Sequence, residues 1–182
     1  KLGDKVVGRG VEPYLIAEIG VNHEGDFDLA CKLIDLAKEG GADAAKFQTY
    51  KAAKLASVNS PAYWDTSKEP TESQFKLFQK YDQFEAEDYV ALAEYCRKID
   101  IDFVSTPFDA EAVELLDPLM PFFKIASADI TNVPLLRQVG GKGKPVVLST
   151  GAATLAEIDG AVRELENAGC SEIALLHCVL NY

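Results

Sequence analysis

The sequence predicts an α/β protein built around a parallel sheet. Six short apolar segments of strand length recur along the 182 residues, and a segment with helical spacing follows each of the first five. With 48% hydrophobic residues the chain can bury a core, and one domain is the simplest organisation. Polar side chains at the ends of all six strands favour a (β/α)8 TIM barrel, whose sites gather at the carboxyl ends of its strands.

The other architecture considered is a doubly wound open sheet. A dinucleotide-binding sheet of that type carries G-x-G-x-x-G after its first strand, and residues 20–25 do not match this pattern. Six strands cannot close an eight-stranded barrel. We therefore expect residues 1–182 to be the N-terminal part of an incomplete TIM barrel, with about six of eight βα units here and two more beyond Tyr182.

The strands are recognised as apolar runs bounded by turn residues, and they are predicted at 14–20, 44–49, 102–107, 122–127, 145–150 and 173–178. Asp26 is a good N-cap for a helix that ends at Gly40 and Gly41. Helices are also predicted over 86–98 and 110–116. Asn132 and Pro134 start another, and a capping box at 154–157 starts one that ends before Gly169.

Residues 50–85 interrupt this alternation. A capping-box pattern at 71–74 predicts a short helix through about Lys80, and the remainder is expected to be irregular. An insertion of this length is typical of a lid over the site or an oligomer contact. The alternative is that Tyr63 and Trp64 pack on the core.

Composition excludes several classes of function. A net charge of −11 argues against binding to nucleic acid or to an anionic membrane. No apolar run approaches the roughly 20 residues of a membrane span, and residues 1–10 lack the apolar core of a signal peptide. The four cysteines show no metal-binding spacing and are expected to be reduced thiols, which predicts a cytoplasmic protein.

Two lysines, Lys46 and Lys124, each lie inside an apolar strand. Burying an ammonium group without a partner costs several kcal/mol or more, so such a lysine changes its pKa or finds an anion. A single lysine at a strand end more often extends to solvent. Two of them beside hydroxyl groups predict a pocket for a small, multiply charged anion such as a phosphate ester.

The expected mouth of the barrel collects the polar residues at the strand ends, namely Glu18, Lys46, Gln48, Thr106, Lys124, Ser127, Ser149, Asn181 and Tyr182. Glu18 and Asp129 are the candidate general acid or base, with helix capping or ion pairing as the alternative. His23, in a loop at the mouth, is a candidate for substrate contact. His177 and Cys178 are not expected to form a dyad, because neighbours in a strand face opposite ways.

Six motifs in this order resemble the sialic acid synthase family, which includes N-acetylneuraminate, legionaminic and pseudaminic acid synthases. They are AEIGVNHEG at 17–25, GADAAKFQTY at 41–50, FVSTPFD at 103–109, FKIASADITNVP at 123–134, KPVVLSTG at 144–151 and LLHCVLNY at 175–182.

The resemblance implies a TIM-barrel enzyme that condenses phosphoenolpyruvate with an N-acyl amino sugar such as N-acetylmannosamine. C3 of phosphoenolpyruvate attacks the open-chain aldehyde, water adds to C2, and phosphate leaves with C–O cleavage. Phosphoenolpyruvate would be held by Lys46, Thr106, Lys124, Ser127 and Ser149. Glu18 would contact the sugar or assist proton transfer, and Asp129 would act near the water.

The resemblance also implies a divalent ion, Mn²⁺ or Mg²⁺, that polarises the aldehyde. Its histidine ligands are expected beyond Tyr182, together with a C-terminal domain that completes the partner's site in a homodimer. The chain alone is therefore expected to be inactive. Asp129 stands where the family often has glutamate, and Leu180 where some members have a polar residue. Two alternatives are the same chemistry on another sugar aldehyde for a surface or spore-coat polysaccharide, and a non-catalytic, truncated homologue that binds a phosphate ester.

Overall fold

The computed structural model describes residues 1–180. Its strands are β1 Ile16–Gly20, β2 Ala44–Thr49, β3 Asp102–Pro107, β4 Phe123–Ile125, β5 Val146–Ser149 and β6 Ile173–Leu176. Its helices are α1 Phe27–Glu39, α2 Ala52–Leu55, α3 Gln74–Tyr81, α4 Ala86–Lys98, α5 Ala110–Leu116, α6 Val133–Gly140 and α7 Leu155–Ala168. Strand and helix alternate as the sequence predicts, apart from α2 and α3 within the insertion.

All strand pairs in the described chain are parallel, and strand order follows chain order. β2 lies between β1 and β3, and β5 lies between β4 and β6. β3 and β4 lie side by side, although no ladder joins them among residues 1–180. A doubly wound sheet reverses its strand order at a switch point, whereas a barrel wall continues in one direction. The α/β prediction with barrel-type βα units is thus confirmed.

Several helix ends are fixed by the predicted caps. Asp26 accepts a hydrogen bond from the backbone N–H of Leu29 at 2.9 Å. Asn132 caps α6, and Thr154 forms a capping box with Glu157 at the start of α7. These side chains satisfy N–H groups that have no partner inside the helix. Each helix therefore begins at a defined distance from the strand before it.

The core lies between the strands and the surrounding helices. Its fully buried side chains include Phe47 and Phe123 on strands, Phe122 just before β4, and Ile34, Leu92 and Leu165 on helices. Tyr89, Leu92, Ala93 and Cys96 face inward from α4, as the helical spacing predicts, whereas Val90, expected on the same face, is exposed. Within the described residues, no helix combines the length and the apolar character that crossing a membrane requires.

β1, β5 and β6 are shorter than predicted, and the start of α3 and the end of β4 also differ from the prediction. α3 is capped by Ser73, which accepts from the N–H of Lys76 at 3.2 Å, and Thr71 instead donates to Glu69. β4 ends at Ile125, two residues earlier than predicted, because residues 127–129 form one turn of 3-10 helix. This turn brings Ser127 across the end of the strand.

Candidate functional site

A cavity of about 430 Å³ opens at the carboxyl ends of the strands. Seven of the predicted site residues line it: Glu18, Lys46, Gln48, Thr106, Lys124, Ser127 and Ser149. They come from β1 to β5, or from the turn directly after β4. Parallel strands bring residues that are far apart in sequence to one edge, which is how sites form in barrels.

Lys46 is fixed by the register of the first three strands. It stands opposite Glu18 on β1, and Gln48, two residues further along the same strand, faces the same cavity. The Lys46 ammonium group forms an ion pair with the Glu18 carboxylate and lies 3.4 Å from Thr106 Oγ1. The lysine is only 7% exposed. A buried cation therefore already has an anion of the protein as its partner.

Lys124 faces the same cavity with different partners. It is 6% exposed, and its Nζ donates a hydrogen bond to the backbone carbonyl of Ile125 at 2.8 Å. Among residues 1–180, no carboxylate lies within 4 Å of this nitrogen. Burial and, secondly, the charge of Lys46 lower the pKa of Lys124 to about 8, against the opposing influence of Glu18 and Cys178.

Three hydroxyl groups complete the polar lining. Thr106 on β3 is buried, and Ser127 and Ser149 are half-buried at the ends of β4 and β5. Gly151, in the left-handed region with φ of 53°, allows Ser127 to approach, since a Cβ at this glycine would lie 2.5 Å from Ser127 Oγ. Two ammonium groups and these hydroxyls can bind a compact anion through charge-assisted hydrogen bonds.

Two predicted residues lie elsewhere. His23 is 2% exposed and stacks on Phe84 with ring centroids 4.2 Å apart, so it belongs to the core and not to the cavity lining. Burial lowers the pKa of this imidazole. Asp129 accepts a hydrogen bond from the Asn132 side chain at 3.0 Å beside the start of α6, and burial raises the pKa of its carboxyl group. Neither residue lines the cavity.

Asn181 and Tyr182, which were also predicted to line the site, lie outside the described residues.

Phe108 and Cys178 also line the cavity, and neither was predicted. The alternation of β6 could have identified Cys178, since Leu176 lines the same cavity two residues earlier. His177 is exposed and does not line the cavity. Both His177 and Cys178 follow the end of β6 at Leu176, so the opposite orientation expected for strand neighbours stays a prediction. The Cys178 sulfur accepts from the N–H of Gly151 at 3.0 Å.

The residues present do not by themselves fit a divalent ion. Within residues 1–180, no three His, Cys, Asp or Glu side chains are grouped so that they could hold a metal. The nearest carboxylate of the cavity, Glu18, is paired with Lys46. What the described site can do chemically is bind an anion and exchange protons with it.

Comparisons with known proteins place the chain among related sequences and structures. The sequence is 41% identical to an N,N'-diacetyllegionaminic acid synthase of Campylobacter jejuni, over 92% of this chain and 52% of that protein. It is 37% identical to the spore coat polysaccharide biosynthesis protein SpsE of Bacillus subtilis, over 100% of this chain and 48% of that one. The chain thus spans about half the length of these relatives.

A solved structure gives the same result for the fold. The crystal structure of an N-acetylneuraminic acid (sialic acid) synthetase from Leptospira borgpetersenii superposes with a TM-score of 0.82 and 32% identity, covering 100% of this chain and 61% of that one. The sequence pattern of the NeuB family matches residues 33–182, which include Lys46, Thr106, Lys124, Ser127 and Ser149. The chain therefore belongs to the NeuB family.

Proposed function

We propose that the protein condenses phosphoenolpyruvate with an N-acyl amino sugar and water to give a nonulosonic acid and phosphate. The observation that carries this proposal is the pair of buried lysines, Lys46 and Lys124, facing one cavity in a chain of this family. The family includes relatives named for legionaminic, pseudaminic and neuraminic acid synthesis.

The cavity would bind the phosphate and carboxylate groups of phosphoenolpyruvate. Lys46 and Lys124 supply the positive charge, and Thr106, Ser127 and Ser149 supply hydroxyl donors. Both lysines are almost fully buried, so little water competes with the ligand. The ligand would compete with the Glu18 carboxylate for the Lys46 ammonium group, or both would contact it.

Glu18 is the acid/base candidate that the geometry favours. Its side chain is 54% exposed, lines the cavity and reaches Lys46, so it can meet both the bound anion and the incoming sugar. Asp129 is assigned near the water by the family resemblance. In the structure its carboxylate is held by Asn132, and it would have to leave this hydrogen bond to act in the cavity.

The divalent ion implied by the resemblance would polarise the sugar aldehyde. We propose that its ligands come from outside the described residues, since residues 1–180 contain no grouped set of ligands. The four cysteines are free thiols, which supports the expected cytoplasmic location. The homodimer stays a prediction that analytical ultracentrifugation can test.

A second candidate is the same condensation on a different sugar aldehyde for a surface or spore-coat polysaccharide. The 37% identity to SpsE, a spore coat polysaccharide biosynthesis protein, supports this second candidate. The sugar contacts expected at Asn181 and Tyr182 lie outside the described residues, so the cavity does not distinguish the two. The two candidates share the phosphoenolpyruvate half of the site and differ only in the aldehyde.

Phosphate release tests the reaction. The complete protein is incubated with phosphoenolpyruvate, Mn²⁺ or Mg²⁺ and a panel of sugars, of which N-acyl mannosamine-type sugars are expected to be substrates. Release with other aldehydes alone would support the second candidate. No release with any sugar, although phosphoenolpyruvate binds, would contradict the condensation and favour the non-catalytic homologue.

Calorimetry tests the anion site separately. We expect Lys46→Met and Lys124→Met each to weaken phosphoenolpyruvate binding by about tenfold or more, because a charge-assisted hydrogen bond contributes roughly 1.5–3 kcal/mol. Lys68→Met, at an exposed position of the insertion, is the control and should bind as the wild type does. Equal affinity in all four proteins would contradict the assignment of the cavity.

A further inference from the structure

Lys124 and Lys46 share a cavity but differ in their chemistry. Lys46 has the Glu18 carboxylate against its ammonium group. Lys124 has a neutral partner, the carbonyl oxygen of Ile125, at 2.8 Å. Both side chains are more than nine-tenths buried and face the same space, lined also by three hydroxyl groups. An amine whose partner among residues 1–180 is a neutral carbonyl is easier to deprotonate in such a place than one at the surface.

We infer that Lys124 is a nucleophilic amine that forms an imine with small anionic carbonyl compounds bound in the cavity. The ligand class is an aldehyde or a 2-oxo acid that carries a phosphate or carboxylate group. Its anionic group would lie against Lys46 and the hydroxyls of Thr106, Ser127 and Ser149, which leaves its carbonyl group near Lys124 Nζ. This reactivity goes beyond the proposed condensation and does not depend on it, because the cavity alone provides it.

The reaction needs no oxidant or reductant. A neutral Nζ can donate one N–H to Ile125 and still present its lone pair to the cavity. The lone pair attacks the carbonyl carbon, the carbonyl oxygen takes up a proton, and a carbinolamine forms. Loss of this oxygen as water, with a proton from the nitrogen, leaves the C=N bond. Glu18, half-exposed on the same cavity, is placed to exchange these protons with solvent.

The charges around Lys124 support a neutral amine near neutral pH. Burial and Lys46 on β2 lower its pKa, and Glu18 on β1 and Cys178 after β6 oppose them. With a pKa of about 8, roughly half of the Lys124 side chains are neutral at pH 8. A surface lysine of ordinary pKa is neutral in about one molecule in a few hundred at that pH. Lys124 should therefore react well ahead of the exposed lysines.

The thiol of Cys178 is another nucleophile that lines the cavity, and the chemistry of trapping distinguishes it from Lys124. A thiol adds reversibly to an aldehyde and leaves no stable product after reduction. An imine is reduced by borohydride to a secondary amine that survives digestion. The position of the reduced adduct therefore identifies the residue that attacked.

The test uses pyridoxal 5'-phosphate, an aldehyde with a phosphate group, followed by borohydride at pH 8 and peptide mapping by mass spectrometry. We expect about one label per chain, located mainly on Lys124. Inorganic phosphate in excess should protect the site, and pyridoxal, which lacks the phosphate, should label it several-fold less. At reagent concentrations well below saturation, where the protonation of the free protein sets the rate, labelling should rise through pH 7 to 9 with a midpoint of about 8.

Lys124→Arg keeps a positive charge and removes the nucleophile, so it should lower labelling to the level of surface lysines. Lys68→Arg, at an exposed position, is the matched control and should change nothing. Labelling of Lys46 in preference to Lys124, or spread evenly over exposed lysines, would overturn the inference. So would undiminished labelling of folded Lys124→Arg. If this variant does not fold, the position of the label on the wild type decides.

Discussion

The two buried lysines have different energetic consequences for the protein itself. Lys46 forms an ion pair with Glu18, whose carboxylate is half-exposed and keeps much of its hydration. Lys124 is buried beside a carbonyl group and near the charge of Lys46. A buried charge with incomplete compensation destabilises the fold. The cavity is thus an example of a binding site that costs stability when no ligand is bound.

This difference predicts opposite results for two similar substitutions. Lys124→Met should raise the free energy of unfolding at pH 7 by about 1–3 kcal/mol, since it removes an uncompensated buried charge of similar side-chain volume. Lys46→Met should change it by less than about 1 kcal/mol, because the Glu18 that it leaves unpaired is half-exposed. Urea unfolding of both variants measures the difference, and equal effects would contradict the account.

The gain for Lys124→Met should depend on pH. Folding lowers the pKa of Lys124 from 10.5 to about 8, so the unfolded chain binds the proton more strongly. Wild-type stability therefore rises from about pH 8 to 10.5, where the folded protein has released the proton and the unfolded chain has not. The advantage of the variant should be largest below pH 8 and shrink above it. An advantage that stays constant to pH 10.5 would show that the charge is not its cause.

The burial of His23 predicts that the free energy of unfolding also depends on pH in the acid range. Because burial lowers its pKa in the folded state, stability should be lost as the pH falls below the unfolded value of 6.5. His23→Phe keeps an aromatic ring against Phe84 and does not titrate, so part of this loss between pH 6.5 and 5 should disappear. His177→Gln, at the exposed histidine, is the control. Chemical denaturation at several pH values measures the free energy of unfolding of each protein. The same loss of stability in acid for the wild type and His23→Phe would contradict the contribution of His23.

Sequence reasoning identified seven of the cavity residues because strand alternation determines which side chains share a face, as with Lys46 and Gln48. It could not locate His23. The imidazole is buried by Phe84, which follows 61 positions later in the chain. It also could not separate Asp129 as an acid/base from Asp129 as a partner of Asn132, since both interpretations fit the same spacing.

Among the elements, the insertion is the part that pattern reasoning described least well. After β2, the insertion begins with the short helix α2, which ion pairs hold at two points. Lys51 contacts Asp82 and Glu85 beside the start of α4, and Lys54 contacts Glu111 on α5. A four-residue helix has little intrinsic stability, so these contacts between distant segments define it. Local sequence does not contain them.

The ion pairs of Lys51 and Lys54 are expected to contribute unequally to stability. Lys51→Ala should cost about 1–3 kcal/mol, because it leaves the largely buried Asp82 carboxylate, 3.2 Å from Lys51 Nζ, without that cation. Lys54→Ala should cost less than about 1 kcal/mol, since Glu111 is exposed. Thermal unfolding of the two alanine variants provides the comparison. A larger loss for Lys54→Ala would rule out this description of the insertion.

The insertion also reaches the cavity. Tyr50 at its start packs edge-on against Phe108, a cavity residue, with ring centroids 6.1 Å apart, and it packs in the same way against Phe78 of α3. This contact is compatible with the expected lid, and the choice between a lid and an oligomer contact stays a prediction. Hydrogen exchange in α3 with and without phosphoenolpyruvate distinguishes the two, because a lid should become protected by the ligand.

At the scale of the whole molecule, strand order and direction were predictable and the continuity of the sheet was not. Alternating apolar and helical segments indicated parallel strands in chain order. Among residues 1–180, no ladder joins β3 and β4, and β4 has only three residues, whereas the sequence pattern placed its end at Ser127. Leu175 and Leu176 on β6 are also exposed, although the apolar sequence of this strand predicts that it is buried.

The position of each strand in its sheet predicts how slowly its backbone amides exchange hydrogen with solvent. β2 and β5 have ladder partners on both sides, whereas β1 and β6 have one each among residues 1–180. Backbone amides of β2 and β5 should therefore exchange most slowly and those of β6 fastest. Hydrogen exchange with mass spectrometry gives this order directly. Exchange in β6 as slow as in β5 would mean that another segment or a second copy covers its edge.

The neutral partner of Lys124 has a consequence for how the cavity responds to any anion. An anion beside this amine favours its charged form, so binding near pH 8 should take up a proton from the buffer, up to about half a proton per site. The heat of phosphoenolpyruvate binding should then vary with the ionisation enthalpy of the buffer, and this variation should vanish in Lys124→Met. The proton acts as a second ligand, and affinity for anions falls as the solution becomes more alkaline.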